Sequence, residues 1–161
     1  MEYQERIDAA EEVKEDLAKL FKRLKKRRPK NLDDVFHELH DKAFEQIDCL
    51  KCANCCKTTS PIFRDVDIKR ISKKMKVNVA EFEKTYLKKD EEDDWVLKSA
   101  PCAFLGEDNF CSIYDFRPMA CRDFPHTDRK KMSQILDLTL ENTTICPAVA
   151  EIAVEVTKEF D

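Results

Sequence analysis

Cys49, Cys52, Cys55 and Cys56 place four thiols in the stretch Cys49-Leu50-Lys51-Cys52-Ala53-Asn54-Cys55-Cys56, and Cys102, Cys111, Cys121 and Cys146 follow singly. Thiolates ligate soft and borderline cations, and a C-x2-C-x2-C spacing lets a short turning segment wrap three sulfurs round one ion. Cys56 adjoins Cys55 directly, so it either closes the same cluster or points to another. Four cysteines would close a tetrahedral zinc site, whereas iron or an iron-sulfur cluster would use the same donors and add redox chemistry. The eight cysteines can divide into two four-sulfur sites or share bridging sulfurs in one, and spacing alone leaves both open. The bacterial ferredoxin run is not matched, since it ends in Cys-Pro after three intervening residues and Cys146-Pro147 is the sole Cys-Pro step here.

Few other residues compete for this chemistry. His126 follows Phe124-Pro125 and is the candidate additional ligand. His37 and His40 lack the glutamate-flanked H-E-x-x-H pattern, and a surface or half-buried place on a helix is the default for both. Arg117 and Arg122 flank Cys121 and could donate N–H bonds to thiolates or offset their charge from outside the metal's ligand set. No catalytic residue is identifiable: three histidines and no recognisable nucleophile-base order give nothing to assign. Asp90 to Asp94 lacks the alternating ligands and glycine of a calcium loop.

A single glycine excludes a glycine-cradled phosphate loop. There is no apolar run of membrane-spanning length and no basic-then-apolar leader, so neither membrane insertion nor secretion is expected. That places the eight cysteines in the reducing cytoplasm, where metal ligation is the usual alternative to disulfides. The formal charge of -4 gives no support to a nucleic-acid partner. Lys22 to Lys30 carries seven basic residues, but cations at a helix C-terminus are the plainer explanation.

The elements that must position the cysteines read as mainly α with small β hairpins, an α+β chain whose helices pack round a cysteine-rich metal centre. At 161 residues the chain has the length of one domain, residues 1–161. Ile7, Ala10, Val13, Leu17, Leu20, Phe21 and Leu24 predict one amphipathic helix over 2–28, ended by Pro29. Its stripe suits either the domain core or a protein partner. A second helix, capped by Asn31, runs to about Ile47 and delivers the chain into Cys49. Asp65 and Asn78 open two further helices, and Lys88 to Asp94 reads as a charged loop. Trp95-Val96-Leu97 and Phe110 to Tyr114 read as strands of a hairpin turned at Gly106, Asp108 and Asn109, facing Cys102 towards Cys111. Met132 to Leu140 predicts a short helix. Pro147 opens the terminal helix, whose unpaired N–H groups would favour a thiolate at Cys146.

Cys49-x2-Cys52-x2-Cys55-Cys56, Pro101-Cys102-Ala103-Phe104-Leu105, Cys111-Ser112-Ile113-Tyr114 and Arg117-Pro118-Met119-Ala120-Cys121-Arg122-Asp123-Phe124-Pro125 together resemble the YkgJ-like cysteine-cluster proteins, a zinc- or iron-chelating family. The resemblance covers roughly residues 48 to 125 and implies chelation by the cysteines, with no reaction attached. Zinc is the favoured metal, and iron or an iron-sulfur cluster the alternative. Two readings of other classes stand beside it. One is an iron-sulfur or thiol-dependent oxidoreductase resting on Cys52-Ala53-Asn54-Cys55; the other is a nucleic-acid-binding module resting on Lys22 to Lys30.

Overall fold

The computed structural model of the chain describes residues 2–160. They divide into two compact units, one formed by Met1–Cys52 with Pro125–Asp161, the other by Ala53–Phe124. The fold is mainly α with one small antiparallel sheet of two strands among the described residues, the class that the periodicity predicts.

In the first unit, α1 (Glu2–Glu12) and α2 (Lys14–Arg27) occupy the stretch expected as one helix. The backbone tightens for one residue at Val13, whose N–H reaches Ala10 O at 3.3 Å, and the α pattern resumes with Leu17 N on Val13 O at 2.9 Å. The apolar stripe survives the break, because Ala10, Leu17, Leu20, Phe21 and Leu24 are all buried. That face is therefore spent within the unit. Lys25, Lys26 and Arg27 end α2 beside its unpaired carbonyls, where cations are favoured. In α3 (Leu32–Gln46) the Asn31 side chain makes no capping bond; Asp33 in the first turn instead accepts from Lys131 N and Met132 N, each at 2.8 Å. Those contacts start a 3-10 turn at Met132–Gln134, so the helix expected from Met132 is delayed to α9 (Leu136–Asn142). The short α4 (Cys49–Cys52) completes the first segment. At the centre lies α10 (Pro147–Phe160), packed against α1, α2, α3 and α9. Its Ala148, Val149, Ala150, Ile152, Ala153 and Val156 are buried, and Phe21 meets Phe36 edge-on at 6.3 Å nearby. Full burial of side chains of the Val and Ile class stabilises by about 1.5–3 kcal/mol each, which makes this apolar helix the organiser of the unit.

The second unit comprises α5 (Asn54–Thr58), α6 (Asp65–Met75), α7 (Val79–Tyr86), β1 (Leu87–Lys89), β2 (Trp95–Leu97) and α8 (Met119–Asp123). Asn78 caps α7 as expected, its side chain accepting from Glu81 N at 2.7 Å. The partner of β2 is β1 and not Phe110 to Tyr114: Leu87 pairs with Leu97 and Lys89 with Trp95. The charged look of Lys88-Lys89 hides this, because Leu87 and Leu97 turn into the core while the Lys89 ammonium lies 4.5 Å over the Trp95 ring. Phe63, Ile68, Ile71, Phe82, Leu87, Leu97, Phe104 and Ile113 form the core, with Cys102 and Cys111 packed on its edge. Phe82 holds its centre, within 6.2 Å of Phe63, 6.1 Å of Phe104 and 5.1 Å of Tyr86 between ring centroids.

Candidate metal centre

All eight cysteines are thiols, five in the second unit and three in the first. The larger group lies in the second unit, on four segments of chain. Cys55 and Cys56 are carried by α5, which Thr59 closes by donating from both its N–H and its hydroxyl to Cys55 O, at 2.9 Å each. Ser60 Oγ then accepts from Leu97 N at 2.8 Å, pinning the end of this segment to β2. Cys102 N donates to Cys56 O at 2.7 Å, joining the second sulfur-bearing segment to the first.

Cys111 comes back beside it through a tight turn. Gly106 N takes Phe110 O at 2.8 Å, Asp108 Oδ1 accepts from Phe110 N at 3.0 Å, and Leu105 bridges Cys111. Asn109, not the glycine, takes the left-handed backbone at φ 66°. Gly106 is needed for closeness instead: a Cβ there would meet Asp108 Oδ1 at 2.8 Å and Phe110 O at 3.3 Å. The expected small hairpin is thus a loop around one bridge, yet it does return Cys111 towards Cys102.

Asp67 fixes the fourth segment, which carries Cys121. Its carboxylate is fully buried at the start of α6 and accepts four bonds: from Arg64 N at 3.0 Å, Arg64 Nε at 3.4 Å, Arg70 Nη2 at 3.0 Å and Met119 N at 3.2 Å. Burial is the largest single influence on its pKa and pushes it up, but the four donors together hold it below the usual carboxylate value. Arg70 also donates to Arg117 O at 2.8 Å. The turn leading into α8 is therefore held from α6 on two backbone groups. Neither residue stands out in the sequence, where an acid and a base in a helix's first turns carry no special signal.

These thiols act on one another. Cys56 donates its S–H to the Cys55 sulfur, and with burial and the charge of Cys55 this pushes the Cys56 thiol far up. Burial raises Cys102, with Cys56 and Cys111 adding to it. Burial likewise raises Cys111, with Cys56 adding and Arg117 opposing. Burial pushes Cys121 up to about 12, assisted by Cys56, Cys102 and Cys111 and opposed by Arg117. Arg117 stacks its guanidinium 4.0 Å from the Tyr114 ring centroid and donates to Tyr114 O at 2.6 Å, so its charge is held beside two of the sulfurs. Arg122 is exposed on α8.

The smaller group is in the first unit. Asp48 caps α4, accepting from Leu50 N at 3.0 Å through its side chain and from Cys52 N at 2.9 Å through its carbonyl, which presents Cys49 and Cys52 one turn apart. Cys146 immediately precedes α10 and receives backbone N–H bonds from Ala148 and Val149. The two amides favour the thiolate as expected, but in the metal-free protein burial, aided by Cys49 and Cys52, outweighs them and pushes Cys146 up to about 12. His126 follows in this unit, half-buried and left-handed at φ 68°. The other histidines serve packing. His37 Nε2 donates to Arg129 O at 2.8 Å, while His40 Nδ1 meets Thr127 Oγ1 at 2.7 Å.

Among the described residues, no three His, Cys, Asp or Glu side chains are arranged to hold a metal ion as they stand. The donor chemistry nevertheless suits a soft cation. Half-buried thiols that are costly to ionise beside one another form a set that a divalent ion neutralises, and closing round it requires these side chains to turn and lose their protons. No helix among the described residues is long and apolar enough to cross a membrane. The model of one family, CxxCxxCC, described as "Putative zinc- or iron-chelating domain", matches residues 48–147, which take in all eight cysteines. No curated protein and no solved structure matches the chain.

Proposed function

This chain belongs to the CxxCxxCC family of zinc- or iron-chelating domains, and on that premise we propose that its cysteines bind zinc as thiolates. One observation carries the reading: Cys56, Cys102, Cys111 and Cys121, from four separate segments, are each other's electrostatic neighbours, with Cys102 and Cys111 packed on the edge of one core. Sulfurs brought together from so many segments are costly to leave side by side unless a cation joins them. Cys55, Cys56, Cys102, Cys111 and Cys121 would hold the ion in the second unit, with Arg117 offsetting thiolate charge from outside the ligand set. Cys49, Cys52 and Cys146 are the corresponding donors in the first. Bound zinc supplies a redox-silent crosslink where four thiolates surround it, and a Lewis acid where a position stays open.

The reducing cytoplasm is the compartment that keeps such a set of thiols available. A protein partner at the N-terminal helices would meet their charged face, since the apolar one is covered.

The test is metal analysis of protein purified without air exposure, read with its absorbance. At least one zinc per chain and no visible band is the expected result. A band that bleaches on reduction would move the assignment to an iron-sulfur cluster. Less than one transition metal per folded chain would end the metal-binding proposal.

A further inference from the structure

We propose that the outer face of α1 and α2 is a homodimer interface, on which a second copy of this chain lies antiparallel so that Asp8, Glu12 and Glu15 of each protomer meet Lys26, Lys22 and Lys19 of the other. These six residues follow one another along the chain at steps of three and four, and all are exposed. At about 100° per residue they form one stripe, on the side opposite the buried Ala10, Leu17, Leu20, Phe21 and Leu24. The buried stripe runs on through the break at Val13, so the face opposite it does too.

The stripe changes sign once. It is acidic up to Glu15 and basic from Lys19, and no acidic residue occurs anywhere from Leu17 to Leu32. Within one chain this is unfavourable, because like charges three or four residues apart repel: Asp8 with Glu12, Glu12 with Glu15, Lys19 with Lys22 and Lys22 with Lys26, against the one opposed pair Glu15 and Lys19. The helix dipole accounts for Glu15 in the first turn of α2 and Lys26 in its last. It fades within a turn, however, and Glu12 stands at the C-terminal end of α1, where an anion is disfavoured. Among the described residues Glu12, Glu15, Lys19, Lys22 and Lys26 make no ion pair, although the neighbouring Lys14 and Lys25 do, with Glu11 at 3.5 Å and Asp137 at 2.6 Å.

A second copy supplies the missing compensation by symmetry. A two-fold axis at the level of Leu17 leaves Glu15 and Lys19 two residues to either side, Glu12 and Lys22 five, and Asp8 and Lys26 nine. Every acidic position of the stripe on one protomer then falls on a basic position of its partner, and each pair occurs twice over about 27 Å of helix. A nucleic acid would use the basic half alone and set its phosphates near the acidic half, so the face fits a second copy better. Exposed ion pairs are individually weak and screened by salt, which makes this a weak, exchanging dimer whose population falls with ionic strength.

The test is sedimentation equilibrium of the full chain as purified, with reductant present to keep the exposed Cys49 from crosslinking copies, across roughly 0.01–1 mM protein, the range in which small polar interfaces associate. A monomer–dimer equilibrium is expected, with its dissociation constant rising about tenfold or more between about 0.05 M and 0.5 M NaCl. Glu12→Lys and Lys22→Glu should each weaken self-association by about tenfold, because each places two like-charge contacts in the dimer, with circular dichroism confirming the fold. Mixed one to one, the two variants should associate with each other as tightly as the wild type does with itself. A wild type that stays monomeric at low salt, a dimer indifferent to salt, or a mixture no more associated than its components would each overturn the pairing. A monomeric wild type that binds a short DNA duplex would assign the basic half to a polyanion and overturn it as well.

Discussion

Replacing Asp67 by asparagine tests whether the Cys121 segment is held from α6 as the geometry says. Asparagine keeps the shape but supplies one acceptor oxygen where the carboxylate supplied two. Either Arg64 N and Nε, or Arg70 Nη2 and Met119 N, must then face an NH2 group. Hydrogen bonds to a buried charge contribute about 1.5–3 kcal/mol each, and removing one partner of a buried ion pair costs about 3–5 kcal/mol. Arg64 and Arg70 are 54% and 33% exposed and can turn to water, which places the loss at the low end, near 3 kcal/mol. Trp95 is the single tryptophan of the chain and belongs to the second unit, so its fluorescence in urea follows that unit alone. With a slope of about 2 kcal/mol per M, the midpoint should fall by roughly 1.5 M.

Asp65→Asn, two residues earlier in the same turn and exposed, is the control and should cost no more than about 1 kcal/mol. The pH dependence gives a second check. A carboxylate whose folded pKa lies below its unfolded value adds stability above the unfolded pKa and loses it as pH falls. The gap between wild type and Asp67→Asn should therefore hold at pH 7 and close below about pH 4. If Asp67→Asn unfolds at the same urea concentration as Asp65→Asn, the buried carboxylate is not what holds Met119.

Ser72 is buried on α6 with a hydroxyl that has no hydrogen-bond partner among the described residues; Ser72→Ala should raise stability by about 1 kcal/mol, measured by the same urea titration. Gly106→Ala should force the Asp108 carboxylate off Phe110 N and lower stability by about 1 kcal/mol or more, with faster amide exchange at Phe110 and Ser112 as the local readout. For the metal-free protein, Cys121 and Cys146 have folded pKa values of about 12, above the unfolded value of about 8.5, so their contribution is complete below that value and disappears as pH rises towards 12. The metal-loaded protein should show the opposite trend and lose stability on the acid side, because protons compete with the ion for the thiolates. Thermal unfolding of both forms across pH 6 to 11 checks the pair.

What the sequence made legible was whatever has a chemical type or a strong period. Eight cysteines announce a sulfur site, Pro147 opens α10, and Asn78 caps α7 by the rule that predicts it. The hidden features are those in which a residue acts against its usual preference or through a distant partner. Val13 continues the apolar stripe perfectly well, so nothing in the pattern marks the break between α1 and α2. The turn before Cys111 drew attention to its glycine, yet Asn109 takes the left-handed backbone and Gly106 answers a need for space. Asp33 and Asp67 look like first-turn acids and are instead latches on residues far along the chain, Met132 and Met119.

Cys146 shows why the chemistry of a helix start cannot be assigned from position alone. Two amides do point at its sulfur, and in an exposed setting they would favour the thiolate. The side chain is 8% exposed, however, and burial together with two neighbouring sulfurs reverses the outcome. The same balance governs Cys121, where burial and three sulfurs outweigh Arg117. In both places the fold holds thiols in the state that costs least without a cation. A bound metal ion offsets the desolvation of several thiolates at once, and the proton affinity of these sulfurs then sets how sharply binding depends on pH.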